Sequence, residues 1–458
     1  MFFRQVLYRD LGCASYVLGD DGQAIVVDPR WDIDVYLEIA RDERLSITHV
    51  LETHDHADHV SGRFQLAEIT GARCHCAADG EHEDREGITA GWEIAIGSLQ
   101  VQAVATPGHR PEHLAFAVAD LSRGSDPWLL LTGDSLLVGD IARPDLAVEP
   151  RDGARALHSS LERLIAFHDH VEVWPAHVGG SLCGGEGLSG KTSSTIGYER
   201  RHNPLLMIER EAFVDGLTRS LPTRPPNIDR IVALNRRRAA KPPGEPTALA
   251  DDRLHELLRS GVTVLDSRAP EQFDAGHVAG AVNLPISSAG VGTRAGWALS
   301  PEVGIVVVAA DEHAAHATTS ALQAVGLWRI VGYDLADRGA WERQRLPVAE
   351  AHSWDLDQLA GGLLREAVEL VDVREFPEWV RGHVEGSHHV PLHRLRDVDS
   401  VAIPDCGRTT AVACAAGARA AFAASLLRRA GHSDVVRIAG GGVPDLTTRG
   451  IKLTVGAD

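Results

Sequence analysis

Two stretches of this chain carry side chains whose types and spacing suit catalysis. The first is THDHADH, Thr53 to His59, where His54, His56, Asp58 and His59 crowd into six residues. Imidazole nitrogens and carboxylate oxygens are donors for borderline and harder divalent metals. The second is VACAAGAR, Val412 to Arg419, where Cys414 is followed by Ala415, Ala416, Gly417 and Ala418 and then by Arg419. A small-residue loop between a strand and a helix turns backbone N–H groups toward a cysteine sulfur. Those amides and the helix N-terminus stabilise a thiolate or a persulfide anion. Large side chains would fill such a cradle, and Arg419 adds positive charge.

Strand ends must position both groups. THDHADH follows the apolar run Ile47–Leu51, which puts it on a tight loop at the C-terminal end of a strand, where α/β sites gather. Around it, the spacing predicts strands at Ala14–Leu18, Ala24–Asp28, Gln100–Ala105, Leu114–Ala119 and Trp128–Thr132, with helical stretches at Asp32–Arg44 and about Asp152–Phe167. This reads as an α/β sandwich. Two Pro-rich segments, Leu221–Asn227 and Lys241–Pro246, bracket a basic stretch with Arg236, Arg237 and Arg238, which is linker composition. Beyond it the chain repeats. Asp, Arg, Gly, His and Gly at 266, 268, 276, 277 and 280 recur at an offset of 372 − 266 = 106. Each copy reads strand, loop, strand, helix and strand, so two tandem α/β domains with parallel sheets are expected. The expected boundaries are 1–240, 247–350 and 354–458.

THDHADH resembles the HxHxDH motif of the metallo-β-lactamase superfamily. The remaining superfamily positions match His109 in TPGH, Asp134 in TGDS and His177 in PAH. The resemblance implies a four-layer αβ/βα sandwich with metal at the sheet edge. Two chemistries fit those seven residues. Two bound metals would suit hydrolysis, as in glyoxalase II, a dinuclear zinc thioester hydrolase. One metal on His54, His109 and Asp134 would be a two-His, one-carboxylate triad for non-haem Fe(II), one iron per chain, with zinc as the alternative. GHRPEHLAF, TGDSLLVGDIARPDL, PAHVGGSLCGGEG and SSTIGYERRHNPLL are similar to the persulfide dioxygenase branch. In that branch His56, Asp58, His59 and His177 line the pocket without a second metal. Arg143 matches the position that meets the thiol carrier's carboxylate. Lys191 is a second candidate for such a carboxylate, and Cys183 is a candidate sulfur carrier.

The Cys414 loop and DVRE…GH…G…P, Asp372 to Pro391, resemble the rhodanese family. Six residues from Cys414 to Arg419, counted inclusively, suit sulfur rather than the phosphate of related phosphatases. In the first repeat Ala309 stands where Cys414 stands in the second, and Asp311 and Glu312 follow it. That repeat is expected to be inactive in transfer and to pack or position its neighbours. GEGLSGKT, Gly185–Thr192, satisfies a phosphate-loop pattern but lacks the preceding strand, so it reads as a loop beside the metal pocket.

The whole pattern resembles a persulfide dioxygenase fused to two rhodanese domains. Its implied substrates are a low-molecular-weight thiol persulfide and O2, with sulfite and thiosulfate as products or co-substrates, and a homo-oligomer is implied. The 458 residues suffice for several cores, and 45 Lys+Arg against 64 Asp+Glu give a net charge of −19. That charge argues against nucleic acid or an anionic membrane surface as partner. Six scattered Cys fit a reducing compartment, and a cytoplasmic location is expected.

Overall fold

The computed structural model describes all of the chain except residues 81–85, 180–186, 220, 222, 238–243, 251–252, 402, 404–406 and 457–458. The chain forms two compact units, Met1–Pro242 and Pro243–Asp458. Among the described residues no helix is long and apolar enough to cross a membrane.

In the first unit, β1 (Phe2–Tyr8), β2 (Cys13–Asp20), β3 (Gln23–Val27), β4 (Ser46–Leu51), β5 (Arg73–Ala77) and β6 (Glu86–Ile88) form one sheet in chain order. A second sheet joins β7 (Glu93–Ile96), β8 (Leu99–Ala105), β9 (Leu114–Asp120), β10 (Leu129–Gly133), β11 (Glu172–Pro175) and β12 (Ser194–Thr195), also in chain order. Hairpins make β1–β3 antiparallel, whereas helical returns at Asp34–Asp42 and Arg63–Thr70 make β3, β4 and β5 parallel. The period of two along each strand sorts the apolar residues into layers. Ile25, Val27 and Leu51 meet Leu114, Phe116 and Leu131 between the sheets. Val26 and Val50 face the other way, onto Tyr36 and Leu66. Ala115, Ala117 and Leu130 pack outward on Leu157, Leu161, Leu164 and Phe213. The result is the expected helix–sheet–sheet–helix sandwich. Its longest helix here, Pro150–Leu164, starts where Pro150 needs no donor and the Glu149 side chain accepts from the Arg151 and Asp152 amides.

Linker composition misreads one segment. Residues Ile228–Arg236 are a helix, because Ile228, Ile231, Val232 and Asn235 fall on one face and are buried. Ile228 and Val232 pack with Leu146 and with Ala57, inside the THDHADH loop.

The second unit holds two parallel sheets, one per repeat. The first is ordered Val282–Asn283, Thr263–Asp266, Ile305–Ala309, Ile330–Leu335. The second is ordered His352–Trp354, Val435–Ile438, Thr409–Ala413, Val368–Asp372, His388–His389. Helices Glu312–Ala324 and Ala418–Arg429 follow the corresponding strands of the two copies.

Candidate metal centre and cysteine loop

The parallel strands β3 and β4 end side by side, so Asp28 and Thr53 meet. The Thr53 amide donates to Asp28 Oδ1 at 2.7 Å, and its hydroxyl donates to Oδ2 at 2.8 Å. With its proton so committed, Thr53 Oγ1 accepts from His54 Nδ1 at 2.9 Å. His54 Nε2 therefore presents a bare lone pair. His109 is oriented the same way: its Nδ1 donates to the Arg143 carbonyl at 2.9 Å. The third member, Asp134, sits just past β10. Its Oδ2 lies 3.8 Å from His54 Nε2 and 3.4 Å from His109 Nε2. All three side chains are buried, and among the described residues His54 Nε2 and Asp134 Oδ2 have no hydrogen-bond partner. Two buried, unpartnered ligand atoms that converge with His109 Nε2 are costly unless a cation joins them. The donor set therefore fits a bound divalent metal, with each imidazole held by a partner on its far nitrogen.

Two further histidines hold Asp134. The Asp134 amide donates to His113 Nε2 at 2.8 Å, which leaves His113 Nδ1 to donate to Thr106 Oγ1 at 2.8 Å. Burial pushes the His113 pKa down to about 3, so it stays neutral. The fit is close: at Gly133, with φ of +52°, a Cβ would lie 2.6 Å from His113 Nε2. His177 Nδ1 lies 2.6 Å from Asp134 Oδ1, and its Nε2 lies 2.9 Å from Asp58 Oδ2. Burial raises the Asp134 pKa, but the charge and hydrogen bond of His177 outweigh it and hold the carboxyl well below its ordinary range. Burial, with His56, His113 and His109 as further causes, keeps the His54 pKa well below its usual value.

The other residues of the HxHxDH loop lie nearby with different partners. His56 Nε2 lies 3.1 Å from Glu52 Oε2 and 3.2 Å from Asp28 Oδ1. Burial opposes protonation of His56, yet these carboxylates raise its pKa well above the ordinary value. His59 Nδ1 lies 3.1 Å from Asp58 Oδ1. Cys13, which the sequence did not single out, donates its thiol to Asp58 Oδ2 at 3.0 Å and lies 3.4 Å from His177 Nε2. Burial, reinforced by Asp58, pushes its pKa well up, so it is a neutral thiol.

The three candidate substrate contacts fare differently. Arg143 is buried, and its guanidinium forks onto Asp145 at 2.6 and 2.7 Å. What it offers the metal cluster is its backbone carbonyl. Lys191 is exposed, with Nζ 5.8 Å from the Tyr198 ring centre. Cys183 lies outside the described residues.

In the second unit Cys414 stands at the end of Thr409–Ala413 and is buried. The Gly417 amide donates to its Sγ at 3.0 Å. Gly417, at φ +92°, makes the turn into a helix that has no side-chain cap. The loop is closed from behind by Gly442, where a Cβ would lie 2.2 Å from the carbonyl oxygens of both Cys414 and Ala415. Arg419, expected to add positive charge, does so as half of an ion pair. Its guanidinium forks onto Glu378 at 2.6 and 2.7 Å. Burial works against the Glu378 charge, but the Arg419 hydrogen bonds and charge prevail and hold its pKa below the usual value. In the first repeat Ala309 ends the corresponding strand, and Asp311 Oδ1 accepts from the Ala314 amide at 2.8 Å.

The sequence matches the metallo-beta-lactamase superfamily over residues 8–177 and the rhodanese-like domain over 250–335 and again over 355–446. It is 27% identical over 237 residues to "Persulfide dioxygenase ETHE1, mitochondrial" of Bos taurus, covering 49% of this chain and 83% of that protein. A solved metallo-beta-lactamase from Staphylococcus aureus subsp. aureus COL superposes with a TM-score of 0.64 at 29% identity, covering 74% of this chain and 99% of that one. ETHE1 from Myxococcus xanthus is 31% identical, covering 52% of this chain and 98% of that one, with a TM-score of 0.46.

Proposed function

Given that this chain joins a domain of the metallo-beta-lactamase superfamily to two rhodanese-like domains, we propose that it oxidises a thiol persulfide in its first unit and moves sulfane sulfur through Cys414 in its second. The observation that carries the reading is the buried triad of His54, His109 and Asp134, whose ligand atoms converge while His54 Nε2 and Asp134 Oδ2 have no hydrogen-bond partner among the described residues. The likeness of the first unit to persulfide dioxygenases supports it. These three residues would hold one iron(II). When bound, the iron would supply redox chemistry for joining a persulfide to O2. The overall reaction balances as one persulfide, one O2 and one water giving one sulfite, one free thiol and two protons.

The chain's own residues fix the geometry. Thr53 and the Arg143 carbonyl keep a proton on the far nitrogen of His54 and of His109, so both Nε2 atoms face inward. His113 sets the backbone of Asp134, and His177 occupies its Oδ1, which turns Oδ2 toward the two imidazoles. A carrier carboxylate would reach Arg143 by displacing Asp145, with Lys191 as a surface contact. Cys183 is retained as a proposed sulfur carrier.

At the second centre, Cys414 Sγ attacks the outer sulfur of a persulfide. The S–S bond breaks, the thiol leaves with its electron pair, and the new Cys414 persulfide keeps its charge beside the Gly417 amide. Attack by sulfite on the outer sulfur gives thiosulfate and restores the Cys414 thiolate. Thiosulfate as donor runs these steps in reverse.

The test is O2 consumption by anaerobically purified, Fe(II)-loaded protein given glutathione persulfide, with coenzyme A persulfide in parallel. Uptake matched by sulfite or thiosulfate is expected with iron and not with zinc. Thioester hydrolysis by the zinc form, without O2 uptake by the iron form, would replace this reading with the dinuclear hydrolase.

A further inference from the structure

The metal-bearing loop is held from one side by a segment that the superfamily match, residues 8–177, does not reach. The end of the helix Ile228–Arg236 meets it. Asn235 is buried, and both its Nδ2 protons and its Oδ1 are bonded to the loop. Nδ2 donates to the carbonyls of His56 and His59, each at 2.9 Å, and Oδ1 accepts from the Ser61 amide at 2.8 Å. One side chain thus closes the turn from His56 to Ser61 and satisfies three buried backbone groups that the loop cannot pair within itself. The next residue grips the other flank of the turn. Arg236 Nε donates to Asp55 Oδ2 at 2.7 Å, and Asp55 adjoins His54. The Asp55 amide is tied to Glu112 Oε1 at 3.2 Å, which fixes the backbone on the His54 side of both holds. Arg63, from the helix that follows the loop, bonds back to the Asn235 carbonyl. His54 is therefore flanked on its C-terminal side by a residue held through Arg236 and one held through Asn235.

We propose that Asn235, supported by Arg236, is a positioning residue of the metal centre, setting the loop geometry that aims His54 at Asp134 and His109. This rests on the reading of those three residues as a metal site, but not on which reaction the metal serves. Partners that orient ligands typically change metal affinity by about 10–100-fold when removed. Asn235→Asp is nearly isosteric. It keeps the acceptor for Ser61 and replaces the donors facing two carbonyls with an oxygen.

The probe is cobalt(II), titrated into the full-length apoprotein against a chelator, with its visible spectrum recorded. Asn235→Asp should weaken cobalt(II) binding by about 10–100-fold and change the ligand-field bands. Arg236→Gln, at a partly exposed position, should weaken it less, in the same direction. Ile231→Val, a buried change on the same helix with no bond to the loop, should lower thermal stability while leaving affinity and spectrum at wild-type values. Sulfur transfer through Cys414 should persist in all three. Wild-type affinity and spectrum in Asn235→Asp would overturn the proposal, as would an equal loss in Ile231→Val. If Asn235→Asp does not fold, unchanged cobalt(II) binding in Arg236→Gln overturns it and weakened binding supports it. Failure of the wild type to bind cobalt(II) at all would instead remove the metal-site reading beneath it.

Discussion

The two rhodanese-like repeats are built alike up to one loop and part company there. In each, an Asp-x-Arg unit closes a strand end, with Arg268 on Asp266 at 2.6 Å and Arg374 on Asp372 at 2.5 Å. In each, a His lies flat on an aromatic ring of the preceding helix, His277 on Phe273 at 3.6 Å and His383 on Trp379 at 3.9 Å. The next loop differs. After Ala309 the helix N-terminus is capped by the Asp311 carboxylate. After Cys414 the N-terminus has no side-chain cap, and a Gly417 amide faces the sulfur. A helix start stabilises one negative charge well. The first copy gives that place to its own side chain, and the second leaves it for sulfur. The first copy still serves the second. Its Asn283 amide donates to Ser425, within the helix behind Cys414, at 2.8 Å, and Asp274 and Glu271 bind Arg437 at 2.9 and 3.0 Å.

Four substitutions break or sharpen this comparison. Cys414→Ala should cut sulfur transfer by on the order of 10³-fold or more. A rate above about a tenth of wild type would mean that the first repeat also carries sulfur. Next in size is Gly442→Ala, whose Cβ would run into the carbonyl oxygens of Cys414 and Ala415. A shift of the sulfur by about 1 Å should cost on the order of 10²-fold in kcat/KM for thiosulfate or persulfide. Glu378→Gln should destabilise the second unit by about 1 kcal/mol at neutral pH. The Glu378 carboxyl is depressed by Arg419, so its contribution is complete above the ordinary glutamate range and fades as pH falls through the depressed value. Urea midpoints of wild type and variant should therefore differ at pH 7 and converge toward pH 3. Smallest of all is Ala309→Cys placed in the Cys414→Ala background. Asp311 already occupies the helix start, so transfer should stay at background, and measurable transfer would show that a thiol alone suffices.

Much of this was legible in the sequence because the residues lie on short, contiguous motifs. Strand periodicity gave the sandwich, the repeat gave two parallel sheets, and the HxHxDH and Cys414 loops marked the strand ends where His54 converges with His109 and Asp134 and where the Gly417 amide faces a sulfur. What was hidden are partners brought in from far along the chain. Asn235 lies 176 residues beyond His59, inside a stretch whose Pro and Arg content resembles a linker. Glu378 reaches Arg419 across 41 residues and makes that positive charge half of an ion pair. Cys13 comes from β2, with nothing in its neighbourhood to mark it. His113 lies within GHRPEHLAF, yet its role appears only when the Asp134 amide is seen to donate to it. Hydrogen-bond partners of this kind depend on tertiary geometry, which no local pattern encodes.

The central claim is that oxidation and transfer occupy different units of one chain. It is tested most directly by measuring O2 uptake and sulfur transfer side by side on Fe(II)-loaded wild type, His54→Ala and Cys414→Ala, all given glutathione persulfide and sulfite. The account predicts that His54→Ala loses O2 uptake and keeps thiosulfate formation, while Cys414→Ala keeps most O2 uptake and loses thiosulfate formation. Loss of both activities in either variant, with the protein folded, would contradict it.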